Sequence, residues 1–231
     1  MHYFFNAIQL TIVITLLAAC GGSQDTEPRP LNTEAEILSI GDSFFEWHAE
    51  SKQSIPDEIG KLLNKSVSNQ AMIGALITGG DGGIDIEDQY VEGGWEWVVM
   101  AGGGNDLNDK CSCNACEGVL DQLISQDATS GAIPELVTTM LNNGHNVVYM
   151  SYPVLPIGAQ FGFNQCSDDF IELEFRVDQL ALNTQNMWLV RASDVVPEDD
   201  NAYFEGDLVH PSVKGTAVIG EYIAQTISAN Y

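Results

Sequence analysis

Ile37-Leu38-Ser39-Ile40-Gly41-Asp42-Ser43-Phe44-Phe45 is a short apolar run that breaks at a glycine and passes through a polar pair into two aromatics. Branched aliphatics closed by Gly-Asp-Ser read as a buried strand leaving through a tight turn into a helix. The same grammar recurs downstream. Strand-like runs at 66–69, 97–100, 147–151 and 187–190 alternate with helical segments at 54–63, 118–125, 133–141, 168–182 and 212–228. The last helix is the best marked, with Val213, Ala217, Ile219, Ile223, Ala224 and Ile227 at near-helical spacing behind Pro211. This alternation predicts an α/β fold, a three-layer α/β/α sandwich around a central, mostly parallel five-stranded sheet. The sequence shows no internal repeat.

Composition narrows the partners. Among 231 residues, 8 Lys and Arg face 33 Asp and Glu, so 8 − 33 gives a net charge of −25. Eight scattered cations cannot form the basic stripe that displaces counterions from nucleic-acid phosphates. The same field repels anionic lipid headgroups and disfavours strongly anionic substrates. With 45% hydrophobic and 18% charged residues the chain still has the material for a core, and its length suits one domain.

The N-terminus reads as an address. Residues 8–19, IQLTIVITLLAA, are too short to span a bilayer comfortably and end in small residues, as the apolar region of a signal peptide does. Leu17-Ala18-Ala19-Cys20 resembles the bacterial lipobox, which makes Cys20 the lipidated first residue of the mature chain. The leading MHYFFN lacks the usual Lys or Arg, and an ordinary signal peptide or a buried hydrophobic helix are the alternatives. The expected organisation is a signal peptide at 1–19, a flexible lipidated tether at 20–35 and a folded domain at 36–231. Gly21 after the cysteine, by resemblance to enterobacterial sorting, sends such a lipoprotein to the outer membrane of the cell envelope. Export favours oxidation of Cys111, Cys113, Cys116 and Cys166. A C-x-C bridge is strained, so Cys166 is expected to pair within the 111–116 cluster, with a four-thiolate zinc site as the alternative.

In an open parallel α/β sheet, ligands bind beyond the carboxyl ends of the strands. Ser43 leaves the first strand there, beside a helix N-terminus whose N–H groups can face a developing anion. Gly102-Gly103-Gly104-Asn105 leaves the third strand and brings a side-chain amide to the same edge, while Gly74, after the second, offers a bare N–H. A serine nucleophile needs a base. His145 precedes a strand and so belongs to the opposite edge, and His48 is expected on the helix leading away from Ser43. His210, between the fifth strand and the last helix, is on the correct edge, with Asp207 three residues earlier to accept from its Nδ1–H.

These strings, GDSF at 41–44, Gly74 in NQAMIGA, GGND at 103–106 and DLVH at 207–210, resemble the sequence blocks of the SGNH, or GDSL-type, serine hydrolases, in the family's order from about residue 37 to 227. Phe44 replaces the commoner leucine, and the cysteine-rich DKCSCNACEG lies outside the family pattern. The resemblance implies the flavodoxin-like SGNH fold and ester hydrolysis through an acyl-enzyme on Ser43. His210 and Asp207 complete the triad, and the Ser43 and Gly74 N–H groups with the Asn105 amide form the oxyanion hole. It implies no metal or organic cofactor. Short acyl esters, acetylated glycans and lysophospholipids are the candidate substrates, and a monomer is assumed. A non-catalytic binding lipoprotein and an acyltransferase are the alternatives. Residues 151–166 are expected to touch substrate. Trp95, Trp97, Phe161 and Phe163 are candidate pocket aromatics, and the acidic stretch 81–88 reads as a solvated loop rather than a calcium site.

Overall fold

The computed structural model describes residues 29–79 and 85–231. The predicted signal peptide, Cys20 and the first part of the acidic stretch lie outside the described residues. Five parallel strands, β1 (Ile37–Ile40), β2 (Val67–Asn69), β3 (Trp97–Met100), β4 (Asn146–Ser151) and β5 (Met187–Arg191), form one sheet in the order β2-β1-β3-β4-β5. Successive side chains alternate between its faces. Ile37, Trp97, Val99, Val148 and Met150 pack on one side, and Leu38, Ile40, Val98, Met100, Val147 and Tyr149 on the other. Burial on both faces is why the strands read as continuous apolar runs.

Eight helices flank the sheet among the described residues: α1 (Ser43–Glu46), α2 (Ile55–Leu63), α3 (Ile86–Gln89), α4 (Gly104–Cys111), α5 (Glu117–Leu123), α6 (Ala132–Asn142), α7 (Ser167–Asn183) and α8 (Val213–Ala229). None is long and apolar enough to cross a membrane. Helix α2 starts from a capping box in which Ser54 and Asp57 satisfy each other's backbone N–H. It packs against α8 on the Ile37 face through Ile55, Ile59, Ile219 and Ile223. At Gly220 the two helices come so close that a Cβ would sit 2.7 Å from Glu58 Cβ and 3.1 Å from Ile55 O.

Two features depart from the sequence reading. The stretch assigned as a tether at 20–35 is anchored from Arg29 onward: the guanidinium pairs with Glu46 of α1, Asn32 N–H donates to Ser68 Oγ at 3.1 Å, Leu31 packs on the core and Ala35 is buried. A polar composition does not prevent docking when an arginine and a leucine find partners on the domain. Helix α4, which is not among the helices expected from the sequence, is the second. The cysteines pair as Cys111–Cys116 and Cys113–Cys166, with Cα atoms 5.5 and 4.8 Å apart. Cys166 thus joins the 111–116 cluster as expected, and bonding of all four sulfurs leaves no thiolates for the zinc alternative.

Candidate active site

Strands β1 and β3 are neighbours at the point where the strand order reverses, so their carboxyl ends open a crevice. Ser43 stands at the first position of α1. Asp42 caps that helix, its Oδ1 accepting from Phe44 N–H at 3.0 Å. Helix α1 has only four residues, so the local N–H groups matter here rather than a long helix dipole. The turn is held from two further directions. Gln89 of α3 clamps the Gly41 peptide, accepting from its N–H at 2.7 Å and donating to its carbonyl at 2.9 Å. Tyr152, just past β4, donates its hydroxyl hydrogen to Asp42 and accepts from Gly104 N–H at 3.1 Å. One buried network therefore joins the exits of β1, β3 and β4. Burial pushes the Asp42 carboxyl above its ordinary value against the hydrogen bonds from Tyr152 and Phe44, and it holds the Tyr152 hydroxyl protonated.

Asn105 lies in the first turn of α4, and its Nδ2 donates to Ala75 O at 2.9 Å, which leaves its second amide hydrogen available. The buried Asp106 beside it accepts from Ile77 N–H and Thr78 N–H, each at 2.9 Å, and from the Thr78 hydroxyl at 2.5 Å. Together the two residues fasten the 75–78 segment that follows β2. Gly74, at the head of that segment, has φ +77° and open space where a Cβ would stand, so backbone conformation rather than room selects glycine there. The backbone N–H groups of Ser43 and Gly74 have no acceptor among the described residues.

His210 Nδ1 lies 2.8 Å from Asp207 Oδ2, while Asp207 Oδ1 accepts from the N–H groups of Val209 at 2.8 Å and His210 at 2.9 Å. Burial works against ionisation of Asp207, but these hydrogen bonds outweigh it and hold the carboxyl below its ordinary value. An ionised acceptor at Nδ1 places the ring proton there and leaves Nε2 as the basic nitrogen. The imidazole lies flat on the indole of Trp47, centroids 3.7 Å apart and planes within 1°. The Trp47 backbone N–H in turn bonds to Ser43 O at 2.8 Å, so the indole on which His210 lies is carried one helical turn after the serine. Neither Ser43 Oγ nor His210 Nε2 has a hydrogen-bond partner among the described residues. Ser43 and Asn105 line one small cavity with Tyr152, Leu155, Phe163, Phe170 and Val209, the residue before His210.

The other histidines divide. His145 is buried at the amino edge, as expected, with Nδ1 at 2.7 Å from Trp95 O and Nε2 at 3.0 Å from the Tyr90 hydroxyl. His48 is not on the helix carrying Ser43: α1 ends at Glu46, and His48, at φ +64°, turns back to lie 3.1 Å from both Pro211 O and the Glu205 carboxylate. It braces the loop that holds His210. Of the four candidate aromatics, Trp95 and Trp97 are core, whereas Phe163 lines the cavity and the exposed Phe161 ring lies 6.2 Å from His210. Residues 152–155 and 163 border the cavities of this edge. Gln89, Tyr152 and Trp47 were not singled out from sequence. Only Trp47 carried a signal, its i+4 spacing from Ser43.

No family model matches the sequence, and no curated protein matches it either. Solved structures do. A GDSL-like lipase from Bacteroides thetaiotaomicron superposes with a TM-score of 0.61 at 17% identity, over 84% of this chain and 88% of that one. A carbohydrate acetylesterase from Sinorhizobium meliloti gives 0.59 at 14% identity, over 84% and 99%. The chain has the SGNH hydrolase fold. An aryl esterase from M. smegmatis, at TM-score 0.60 and 12% identity over 84% and 98%, adds a further hydrolase of this fold. Within this fold, the five candidate residues follow the carboxyl ends of strands, Ser43 and Asn105 in the first turns of α1 and α4 and Gly74, Asp207 and His210 in loops.

Proposed function

We propose that the protein is a serine esterase. The observation that carries this reading is the Asp207–His210 pair, oriented at 2.8 Å with Nε2 uncommitted, on the sheet edge that presents Ser43 and Asn105. Ser43 Oγ attacks the ester carbonyl carbon as His210 Nε2 takes its proton, and Asp207 supports the imidazolium that forms. The tetrahedral oxyanion accepts from the Ser43 and Gly74 N–H groups and the free hydrogen of the Asn105 amide. Collapse breaks the bond to the alcohol oxygen, which leaves with the proton from His210. Water, deprotonated by the same nitrogen, then attacks the acyl-enzyme and releases the acid and Ser43. The residues need no metal or organic group for these steps. Neighbours described as a carbohydrate acetylesterase and an aryl esterase favour neutral acyl esters, and the net charge of −25 weighs against anionic ones.

The same reading places the enzyme in a bacterial envelope, exported by residues 1–19 and held through a lipid on Cys20, because Leu17-Ala18-Ala19-Cys20 has the lipobox form. The test of activity is p-nitrophenyl acetate turnover with fluorophosphonate labelling of the full chain and its Ser43→Ala variant. Serine-dependent turnover and labelling support the esterase. A folded protein showing neither is a binding module instead, and product formed on an added alcohol in preference to water is the mark of an acyltransferase. Radiolabelled palmitate that enters the wild type but not Cys20→Ser tests the anchor.

A further inference from the structure

Resting on the esterase reading, we propose that the acyl half of the ester enters the cavity beside Ser43 and Asn105, that this cavity admits only an acetyl group, and that Phe170 is the wall setting that limit. The cavity measures about 10 Å³, which is the space of one water-sized group and so of one methyl. A second cavity of about 50 Å³ lies behind it. Tyr152, Leu155 and Phe170 line both, so they form the partition between them.

The three are not equally removable. Tyr152 is fixed at its hydroxyl by Asp42 and Gly104 and belongs to the network under the nucleophile. Phe170 has no polar duty: its ring stacks on Tyr152 with centroids 4.9 Å apart and planes 25° apart, and only its backbone is engaged, donating to Cys166 O at 2.8 Å. Cys166 is bonded to Cys113, so the turn of α7 that carries Phe170 is tied to the end of α4 and the wall cannot swing away with the 151–166 segment. The second cavity is bounded further out by Ile171, Glu174 and Ser193. Glu174 is occupied by the Ser151 hydroxyl at 2.5 Å and by Arg191 at 3.2 Å, which leaves that space suited to a short neutral chain.

The experiment measures kcat/KM of the full chain on p-nitrophenyl acetate and butyrate, for wild type, Phe170→Ala, Ser193→Phe and the double variant. Wild type should prefer acetate by about tenfold or more, the discrimination that surplus methylenes meet at a closed wall. Phe170→Ala should join the two cavities and erase most of that preference by raising butyrate turnover relative to acetate turnover. Ser193→Phe refills the second cavity from its far side: alone it should leave acetate turnover unchanged, and in the Phe170→Ala background it should restore the preference. If Phe170→Ala does not fold, Phe170→Leu makes a smaller opening and should give a smaller shift in the same direction. Wild type taking butyrate as readily as acetate overturns the proposal, as does an equal fall for both esters in folded Phe170→Ala. Loss of the esterase reading itself looks different: no serine-dependent turnover of either ester and no fluorophosphonate labelling in any folded variant.

Discussion

His145 and His210 stand at opposite ends of the same sheet, both buried, and they use their nitrogens differently. His145, at the entrance to β4, has both engaged, with Trp95 O and the Tyr90 hydroxyl. His210, on the edge where the strands finish and where Ser43 stands, gives Nδ1 to Asp207 and leaves Nε2 without a partner among the described residues. A fully satisfied imidazole is a structural tie, because any proton it moved would cost a buried hydrogen bond. An imidazole fixed at one nitrogen and open at the other is arranged for proton transfer. On the proposed reading, the amino edge holds stability and the carboxyl edge holds chemistry.

The strongest way to break that contrast is to remove each histidine. His210→Ala, like Ser43→Ala, should lower kcat by about 10⁴-fold or more while thermal unfolding changes little. His145→Ala should do the reverse, leaving kcat within about twofold but orphaning buried partners at a cost of about 1–3 kcal/mol, or several degrees of Tm. A dead but normally folded His145→Ala enzyme would end the division. The next effect is smaller. Asn105→Ala should cost about a hundredfold, in kcat rather than KM, since its free amide hydrogen is asked to act only on the oxyanion. An unchanged kcat would remove it from the hole and leave it as a tie to Ala75.

The two edges also differ in how far they could be read in advance. All five strands were legible to within about a residue or two, and so were α2 and the four helices from α5 to α8. Strands buried on both faces must be apolar throughout, and a helix packed on one side must show its stripe. Helix α4 was not legible, because Gly-Asn-Asp-Leu-Asn-Asp-Lys-Cys offers one interior aliphatic, Leu107, and follows a run of glycines. Among the site residues, Ser43, Asn105, Asp207 and His210 could be found because each sits beside its own strand exit or helix start. Tyr152 and Gln89 could not, since their partners Asp42 and Gly41 lie 110 and 48 residues away and only the folded sheet brings them together. His48 was misplaced because helical spacing was carried past Glu46, where the chain turns back.

Trp47 sharpens the comparison further, since among the described residues no aromatic lies flat on His145, whose aromatic neighbour Tyr90 meets it edge-on at 6.0 Å. As a positioning residue it should show in kcat: Trp47→Leu lowers it by about tenfold through a loosened imidazole, and Trp47→Phe recovers most of the loss. Equal losses in both variants, matched by equal falls in Tm, would reduce the stack to packing.

The smallest effect concerns Asp207 and acid. Its carboxyl is held below the ordinary value near 3.8, burial being outweighed by the His210 ring and by the Val209 and His210 N–H groups. A depressed carboxylate contributes stability that is present above its unfolded pKa and is lost as pH falls through the lower, folded one. Asp207→Asn keeps an oxygen for the two backbone N–H groups but gives up the charge. Its Tm should therefore trail wild type by a nearly constant margin from neutral pH down to about 5, and the gap should close below 3.8. Asp127, in an exposed turn after α5, is depressed in the same direction by Ser125 and Thr129. Asp127→Asn, in a turn where solvent screens the charge, should show at most a faint closing gap with no loss of turnover, whereas Asp207→Asn loses turnover at neutral pH as well. If the Asp207 gap instead widens on acidification, the aspartate is not an ionised partner of His210, and the orientation of the imidazole must come from the Trp47 stack alone.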